Sequence, residues 1–325
     1  MIQYILRRCL YALPILLGVN ILTFVLFFVV NSPDDMARMQ LGHKHVTEEA
    51  VQNWKHQQGY DLPLLWNQQA EATDKLTETI FYQKSISLFL FDFGLSESGR
   101  NIGADIKQRM WPSLSIALPS LTVGLIVNIS VALMMVLFRN TYLEFSSIVL
   151  CVVLMSISSL FYIIGGQFFI GKLLKLVPIS GYDTGFSAIK FLILPVLISV
   201  VSGIGSGARW YRTLFLEEVE KDYVRTARAK GLTETQVLFK HVLKNAMIPI
   251  LTGVVVVLPL LFMGSLIMES FFSIPGLGSY TIDAINRQDF AIVRSMVFLG
   301  SVLYIIGLIL TDISYSFVDP RVRLS

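Results

Sequence analysis

The residues of this chain that could do chemistry are gathered in one place, and they are cationic. Arg225, Arg228, Lys230, Lys240 and Lys244 fall within about twenty positions, in the most polar segment between hydrophobic runs. Sets suited to catalysis do not accompany them. No G-x-x-x-x-G-K-[ST] occurs, which excludes ATP binding by a P-loop. Of the histidines, His43, His45 and His56 share one loop with no cysteine or carboxylate constellation, and His241 stands apart, so no zinc site is expected. No Ser/His/Asp set has credible spacing for a hydrolase. Cys9 and Cys151 lie in or beside apolar runs and read as small apolar fillers, not as a disulfide or metal pair. Gly203, Gly205 and Gly207 form a G-x-G-x-G at the end of an apolar run. No strand precedes it, so it reads as helix packing, not a dinucleotide fingerprint. What remains is a docking surface.

The element that must present those cations is a helical hairpin. Leu216–Lys230 reads as one helix, with Glu217, Glu218, Glu220 and Asp222 in its first half and Arg225, Arg228 and Lys230 in its last, complementing the helix dipole. Gly231 is placed to end it in left-handed conformation. Thr233 and Gln236 form a capping box for the next helix, in which Val237, Leu238, Val242 and Leu243 recur near helical spacing. Small residues at Ala227, Ala229 and Gly231 are expected to let the tip, around Ala227–Glu234, approach a partner closely.

The rest of the chain is built to sit in lipid. Of 325 residues, 54% are hydrophobic and 15% charged, against about 25% charged in soluble domains. Net charge is +3; the cations sit beside membrane spans, so nucleic acid is not a partner. Six spans are expected at Leu10–Val30, Ser115–Phe138, Ser146–Ile170, Phe191–Gly207, Thr252–Phe272 and Val293–Phe317. Pro14, Pro119, Pro195 and Pro259 are read as local kinks. Arg7 and Arg8 precede an apolar run too long for a signal peptide, which is expected to be a retained span. Short segments carrying Arg7, Arg8, Arg139, the Arg209–Lys244 cluster, Arg321 and Arg323 outweigh those with Lys172, Lys175, Lys190, Arg287 and Arg294. The positive-inside rule then puts both termini in the cytoplasm.

The loop from Asn31 to Pro112 is expected outside. Helical patches are read at Thr47–Gln57, started by Thr47 with Glu48 and Glu49, and at Gln68–Tyr82. Phe89–Phe93 suits a membrane surface, and Trp54, Trp66 and Trp111 an interface or a small packed cap. Ionisable residues are costly within spans, and the span centres hold almost none. Glu269, Asp312 and Arg294 fall near span ends and read as interfacial, with a gate or receptor contact as the alternative for Glu269.

The hairpin resembles the EAA loop of ABC-importer permeases. More narrowly, ARWYR…L.EV..DYVRTARAKGL…VLFKHVLKNAMIP is similar to the B-type permeases of the oligopeptide/dipeptide family, through Ala208, Arg209, Arg212, Leu216, Asp222–Leu232 and Lys240–Pro249. The likeness runs the length of the chain: YILRRCLYALPILLGVNILTFVL at the start, DFGLS at Asp92–Ser96, VPISGY at Val177–Tyr182, ESFFSIPGLG at Glu269–Gly278 and VDPRVR at Val318–Arg323. The chain departs from a literal EAA: the matching triplet is Thr226-Ala227-Arg228 or a neighbour, and Gly231 is retained.

The resemblance implies an all-α polytopic membrane protein: six transmembrane helices in the type I ABC importer permease fold, with a large periplasmic loop after the first. Its parts would be the cytoplasmic N-terminus and first span (1–30), the periplasmic loop (31–112), the permease core (113–317, with the coupling hairpin at 209–249) and a cytoplasmic tail (318–325). It would pair with a second, homologous permease subunit as a heterodimer in the bacterial inner membrane. Two ATPase subunits would bind the hairpins, and a periplasmic or lipid-anchored binding protein would deliver a di- or oligopeptide. Spans two to six would line the pathway.

ATPase coupling would fall on Tyr223, Arg225, Thr226, Ala227, Arg228, Ala229, Lys230, Gly231, Leu232 and Glu234. Receptor or gate contact would fall on Glu269, Ser273, Pro275, Gly276 and Gly278, with the Pro-Gly pair holding a tight turn. This chain would be non-catalytic and hold no cofactor; ATP and Mg would sit on the partner ATPases. The competing readings are an ion-coupled secondary transporter, an importer permease for a nickel chelate or haem, and a receptor with an external sensor loop. The first commonly uses mid-span acidic groups, which this chain lacks, and the last has no use for a Gly-hinged hairpin.

Overall fold

The computed structural model describes residues 2–42, 46–68, 70 and 74–318, and their regular structure is helical, apart from one isolated antiparallel bridge between Leu95 and Asn101. His43, His45, part of the Gln68–Tyr82 patch, Arg321, Arg323 and the VDPRVR motif beyond Val318 lie outside the described residues, as does the side chain of Cys9. The chain forms two compact units. One comprises the described residues through Arg109 with Tyr280–Ile309; the other comprises Met110–Ser279 with the helical residues after Ile309.

In the first unit, α1 (Ile2–Phe24) runs through Pro14 and continues as a wider helical turn over Val25–Val30. Ser32 caps α2 (Pro33–Leu41) in a full capping box with Asp35, and Pro33 stands where a missing N–H costs nothing. Thr47 caps α3 (Glu48–Gln58) through its side chain, as its sequence signature predicts, and Gly59 at φ +68° ends it. Two single turns follow, α4 (Asp74–Thr77) and α5 (Ile80–Lys84), then a tighter 3-10 turn over Ile86–Leu90. Phe24, Phe28, Met36, Tyr60 and Ile80 form the core of this unit, with Trp54, Phe81 and Phe290 packed on it. Trp54 therefore belongs to a packed cap, whereas Trp66 is exposed; Leu90 and Phe91 are also exposed.

The second unit holds most of the remaining helices, several of which contribute residues to both units. They are α6 (Ile102–Leu137), α7 (Tyr142–Ser156), α8 (Ser159–Gly166, widening through Leu173), α9 (Ala188–Val219), α10 (Asp222–Ala229), α11 (Glu234–Val237), α12 (Leu243–Val257), α13 (Leu266–Phe272), α14 (Leu277–Asn286) and α15 (Phe290–Val318). Among the described residues, five helical stretches are long and apolar enough to cross a membrane: Leu6–Val30, Ile102–Leu137, Gly185–Val219, Glu234–Met263 and Phe290–Ser314.

The expected third span is broken. Its halves, Tyr142–Ser156 and Ser159–Leu173, meet at 89°. Ile157 and Ser158 are extended there, Ser156 Oγ bonds back to the Val152 carbonyl (2.7 Å), and the Tyr162 hydroxyl donates to the Leu154 carbonyl (2.7 Å). These bonds supply partners at a helix end that apolar surroundings would otherwise leave unsatisfied. The expected fifth span, Thr252–Phe272, is corrected too. The membrane-length stretch is Glu234–Met263, and the chain then turns at Gly264 (φ +68°) before α13. Hydropathy registers neither a 3-10 turn from Pro259 nor a positive φ.

Two glycines of the triplet, Gly205 and Gly207, pack against neighbouring helices. A Cβ on Gly205 would lie 2.5 Å from the Cys151 carbonyl on α7, and one on Gly207 would lie 2.6 Å from the Asn128 side chain on α6; Gly203 has open space. Small residues thus allow α9 to approach its neighbours closely. Cys151 is free and buried, consistent with an apolar filler.

Candidate functional site

The hairpin is less regular than its sequence implies. The expected single helix Leu216–Lys230 is two helices: α9 ends at Val219, Lys221 is extended, and α10 starts at Asp222. Glu217, Glu218 and Glu220 therefore crowd the C-terminal end of α9, where the helix dipole disfavours acids, and only Asp222 sits in the first turn of α10. Burial of Phe215 and Val219 holds α9 helical to that point, and packing of this kind routinely overrides local preference. After the tip the structure follows expectation. Gly231 has φ +80°, and Thr233 and Gln236 form both bonds of the capping box. From α11 the helix runs through a widened turn, Leu238–Val242, into α12.

One apolar core underlies the hairpin. It contains Leu133 and Val136 of α6, Phe215 and Val219 of α9, Val224 and Ala227 of α10, then Val237, Leu238 and Val242, and Ala246 and Ile250 of α12. Ala227 thus faces inward and is unavailable to a partner, a correction to its expected place among the small tip residues. Arg225, Thr226, Arg228, Ala229, Lys230, Gly231 and Glu234 are exposed, and Tyr223 and Leu232 half-buried. Arg228 grips Glu234 through two bonds, Nε to Oε1 at 2.8 Å and Nη2 to Oε2 at 3.0 Å, tying the two arms across the Gly231 turn. Tyr223 donates to the Glu218 carboxylate, and burial together with that bond pushes its phenol up to about 12. At the base of the arm, Arg212 pairs with Glu144 and Arg209 Nη1 lies 3.1 Å from Met155 Sδ. The hairpin lies between two membrane-length stretches: Glu220 and Lys221 separate Gly185–Val219 from α10, and Glu234–Met263 begins with α11.

The second candidate region is a closed turn. Glu269 is buried, not interfacial. Its Oε1 accepts from the Ser265 amide (3.2 Å) and its Oε2 from the Ser279 amide (3.0 Å), and the Ser113 hydroxyl and the Gly278 amide also bond to it. Ser113 Oγ in turn accepts from the Leu277 amide at 2.8 Å. Gly264 and Gly276 approach this carboxylate so closely that neither has room for a Cβ, and a Cβ on Gly278 would meet the Ser265 backbone at 2.6 Å. Of the receptor or gate candidates, Ser273 (φ +54°) and Pro275 are exposed, while Glu269, Gly276 and Gly278 are buried. The exposed pair is the only part of the set a partner can touch; Glu269 shapes the turn that presents it.

A charged group in the first unit had no sequence signal. Arg294 lies near the start of the Phe290–Ser314 stretch, as expected, but is buried, with its guanidinium 5.1 Å from the Phe28 ring centre. Burial, then the Asp289 charge, push the Glu97 carboxyl up to about 7. Burial raises Asp289 too, although it accepts from the Glu97 amide (3.0 Å) and the Ile292 amide (3.2 Å). These residues lie about 190 positions apart in sequence, and no local spacing could have joined them. Asp312 lies in α15 and is half-buried. His56 contacts Asp61 at 2.7 Å, and no metal-binding group occurs among the described residues.

Helices of membrane length, with a capped polar hairpin between two of them, define a multi-pass membrane protein. The chain belongs to the family of binding-protein-dependent transport system inner membrane components, whose model matches residues 129–324; the matching N-terminal model of such membrane components covers residues 1–85. It is 29% identical to a dipeptide transport system permease protein (DppB) of Bacillus subtilis, over all of this chain and 99% of that one. It is 31% identical to a putative peptide transport system permease protein of Brucella abortus, over 99% of each chain. It is 27% identical to an oligopeptide transport system permease protein (AppB) of Bacillus subtilis, over 99% of this chain and all of that one.

Proposed function

We propose that this chain is the membrane-spanning permease subunit of an ATP-driven importer of di- and oligopeptides. It forms half of a translocation pathway with a second, homologous permease, in the bacterial inner membrane with both termini in the cytoplasm. The observation that carries this reading is the hairpin: an exposed, capped, cation-rich tip packed on one apolar core with α6, α9 and α12 and set between two membrane-length helices. Such a lever suits coupling to an external motor, and the names of the relatives supply the class of cargo. Of two cytoplasmic ATPase subunits, one seats on Arg225, Thr226, Arg228, Ala229, Lys230, Gly231 and Glu234 and the other on the hairpin of the second permease. When they close they push the tip, and the attached helices switch the pathway between inward-open and outward-open. A periplasmic or lipid-anchored binding protein delivers the peptide, in part against Ser273 and Pro275. ATP and Mg are held by the ATPases, not by this chain.

The test is reconstitution of the chain with its partner permease, ATPases and binding protein in liposomes. ATP-dependent uptake of a labelled dipeptide is expected. Gly231→Pro is expected to abolish ATPase co-purification and uptake together. Retention of ATPase binding by that variant would remove the hairpin from the coupling role.

A further inference from the structure

The first unit contains a cavity of about 350 Å³, lined by residues of α14, the start of α15, the 97–100 turn, Gln40 and Arg109. That size falls within the ~300–1,000 Å³ of small-ligand pockets. Its walls carry both signs of charge, and several of those charges are unused. Arg109 is half-buried with its guanidinium 4.7 Å from the Tyr280 ring centre. Such a cation–ring contact holds the guanidinium in place without using up its N–H donors. Tyr280 is itself held by donating to Asp105 Oδ2 (3.1 Å), which also takes the ion pair of Arg100 (3.7 Å). No ion pair engages Arg109, Arg287 or Asp283 among the described residues. Asp289 already has both carboxylate oxygens occupied by backbone amides, so it contributes field more than bonds.

We infer that this cavity binds the charged termini of a short peptide, with the terminal carboxylate on Arg109 and Arg287 and the terminal ammonium on Asp283. The charges explain the pairing. Two unengaged guanidiniums offer forked donors that match a carboxylate, and Asp283, backed by Asp289, offers an acceptor for a cation. A purely anionic ligand would meet Asp283 and Asp289, and a purely cationic one would meet the two arginines. A molecule bearing both charges satisfies both walls. Selection by termini and not by side chains suits a permease that passes peptides of many sequences. The inference rests on the peptide reading above in this respect only.

The experiment uses the full chain with its partner permease in lipid nanodiscs. The probes are alanyl-alanine, its N-acetyl form and its C-terminal amide. Free alanyl-alanine is expected to bind about tenfold or more tightly than either blocked form, the worth of one charge-assisted hydrogen bond. Arg109→Gln and Arg287→Gln are expected to weaken the free peptide and the N-acetyl form but not the amide. Asp283→Asn is expected to weaken the free peptide and the amide but not the N-acetyl form. Arg287 and Asp283 are exposed and make no internal ion pair, so their variants report on binding even if Arg109→Gln is poorly folded; Arg109→Lys should restore part of the loss. Equal binding of free and blocked peptides, or no effect of Arg287→Gln and Asp283→Asn, overturns the inference. Uptake by the complete transporter separates the two readings. If labelled dipeptide is taken up while these variants bind normally, the cavity assignment fails and the permease stands. If no peptide is taken up by the unaltered complex, the permease reading fails.

Discussion

Gly276→Ala tests whether the turn after the Glu234–Met263 stretch is built around one carboxylate. The added Cβ would lie 2.2 Å from Glu269 Oε2, 2.5 Å from Glu269 Cδ and 2.5 Å from Ser113 Oγ. Those separations are roughly 1 Å below contact distances of about 3.5 Å, so something must move. Glu269 resists, because Ser265 and Ser279 hold its two oxygens from opposite sides. Ser113 resists, because its Oγ accepts from Leu277. Overpacking of this kind costs about 1–3 kcal/mol, and the loss of one amide-to-carboxylate bond adds about 1.5–3 kcal/mol. Against this, Gly276 does not occupy the positive-φ region, so alanine gains about 0.4–1 kcal/mol by restricting the unfolded chain. The expected net loss is about 1.5–5.5 kcal/mol.

The decisive form is a double-mutant cycle with Glu269→Ala. With the carboxylate gone, the contacts with Glu269 are gone and only the 2.5 Å approach to Ser113 Oγ remains, so Gly276→Ala should cost clearly less in that background than in the unaltered chain. Hydrogen exchange over residues 265–279 of the full chain in nanodiscs reads the effect where it arises, with residues 222–234 as internal control. Additive losses in the cycle would show that Gly276 and Glu269 do not share one packed site, and would refute the account of the turn.

Three further outcomes are expected. Gly231 has open space around an added Cβ but φ +80°. Gly231→Asn should therefore keep most ATPase association, while Gly231→Val, a β-branched residue forced toward that conformation, should destabilise the hairpin by about 1–2 kcal/mol and lower association in a pull-down. Gly205→Val should cost at least about 1–3 kcal/mol in thermal unfolding, because its Cβ meets the Cys151 carbonyl at 2.5 Å, whereas Gly203→Ala, facing open space, should be near neutral or stabilising. Glu97 is raised from 4.5 to about 7 beside Asp289, Arg294, Lys84 and Tyr60. The fold therefore favours its neutral form: this contribution is full below about pH 4.5 and lost as pH rises through about 7. Protection of amides near Glu97 should fall across that range after correction for intrinsic exchange, and Glu97→Gln should flatten the fall.

Much of the fold was legible because its causes are local. Long apolar runs announce membrane helices, and Thr47, Thr233 and Gly231 announce where helices begin and end through bonds within four residues of themselves. Errors arose where distant packing decided the outcome. The acids before Asp222 looked like the start of a helix and instead end α9, because Phe215 and Val219 are buried against α6 and the far hairpin arm. Ala227 looked like a contact residue and is core for the same reason. The third span looked continuous because hydropathy carries no information on the bend between Ser156 and Ser159.

The sequence by itself determined that this is a multi-span membrane protein with a capped polar hairpin, and its motifs carried the family. Apolar length, capping residues and motif spacing are written along the chain and need no fold to be read. Only the tertiary structure decided that Glu269 is an internal post and not a surface contact, that Arg294 is buried, and that Arg109, Asp283 and Arg287 line one cavity. Each of those facts depends on groups far apart in sequence meeting at distances of a few ångströms, and no pattern along the chain encodes such a meeting.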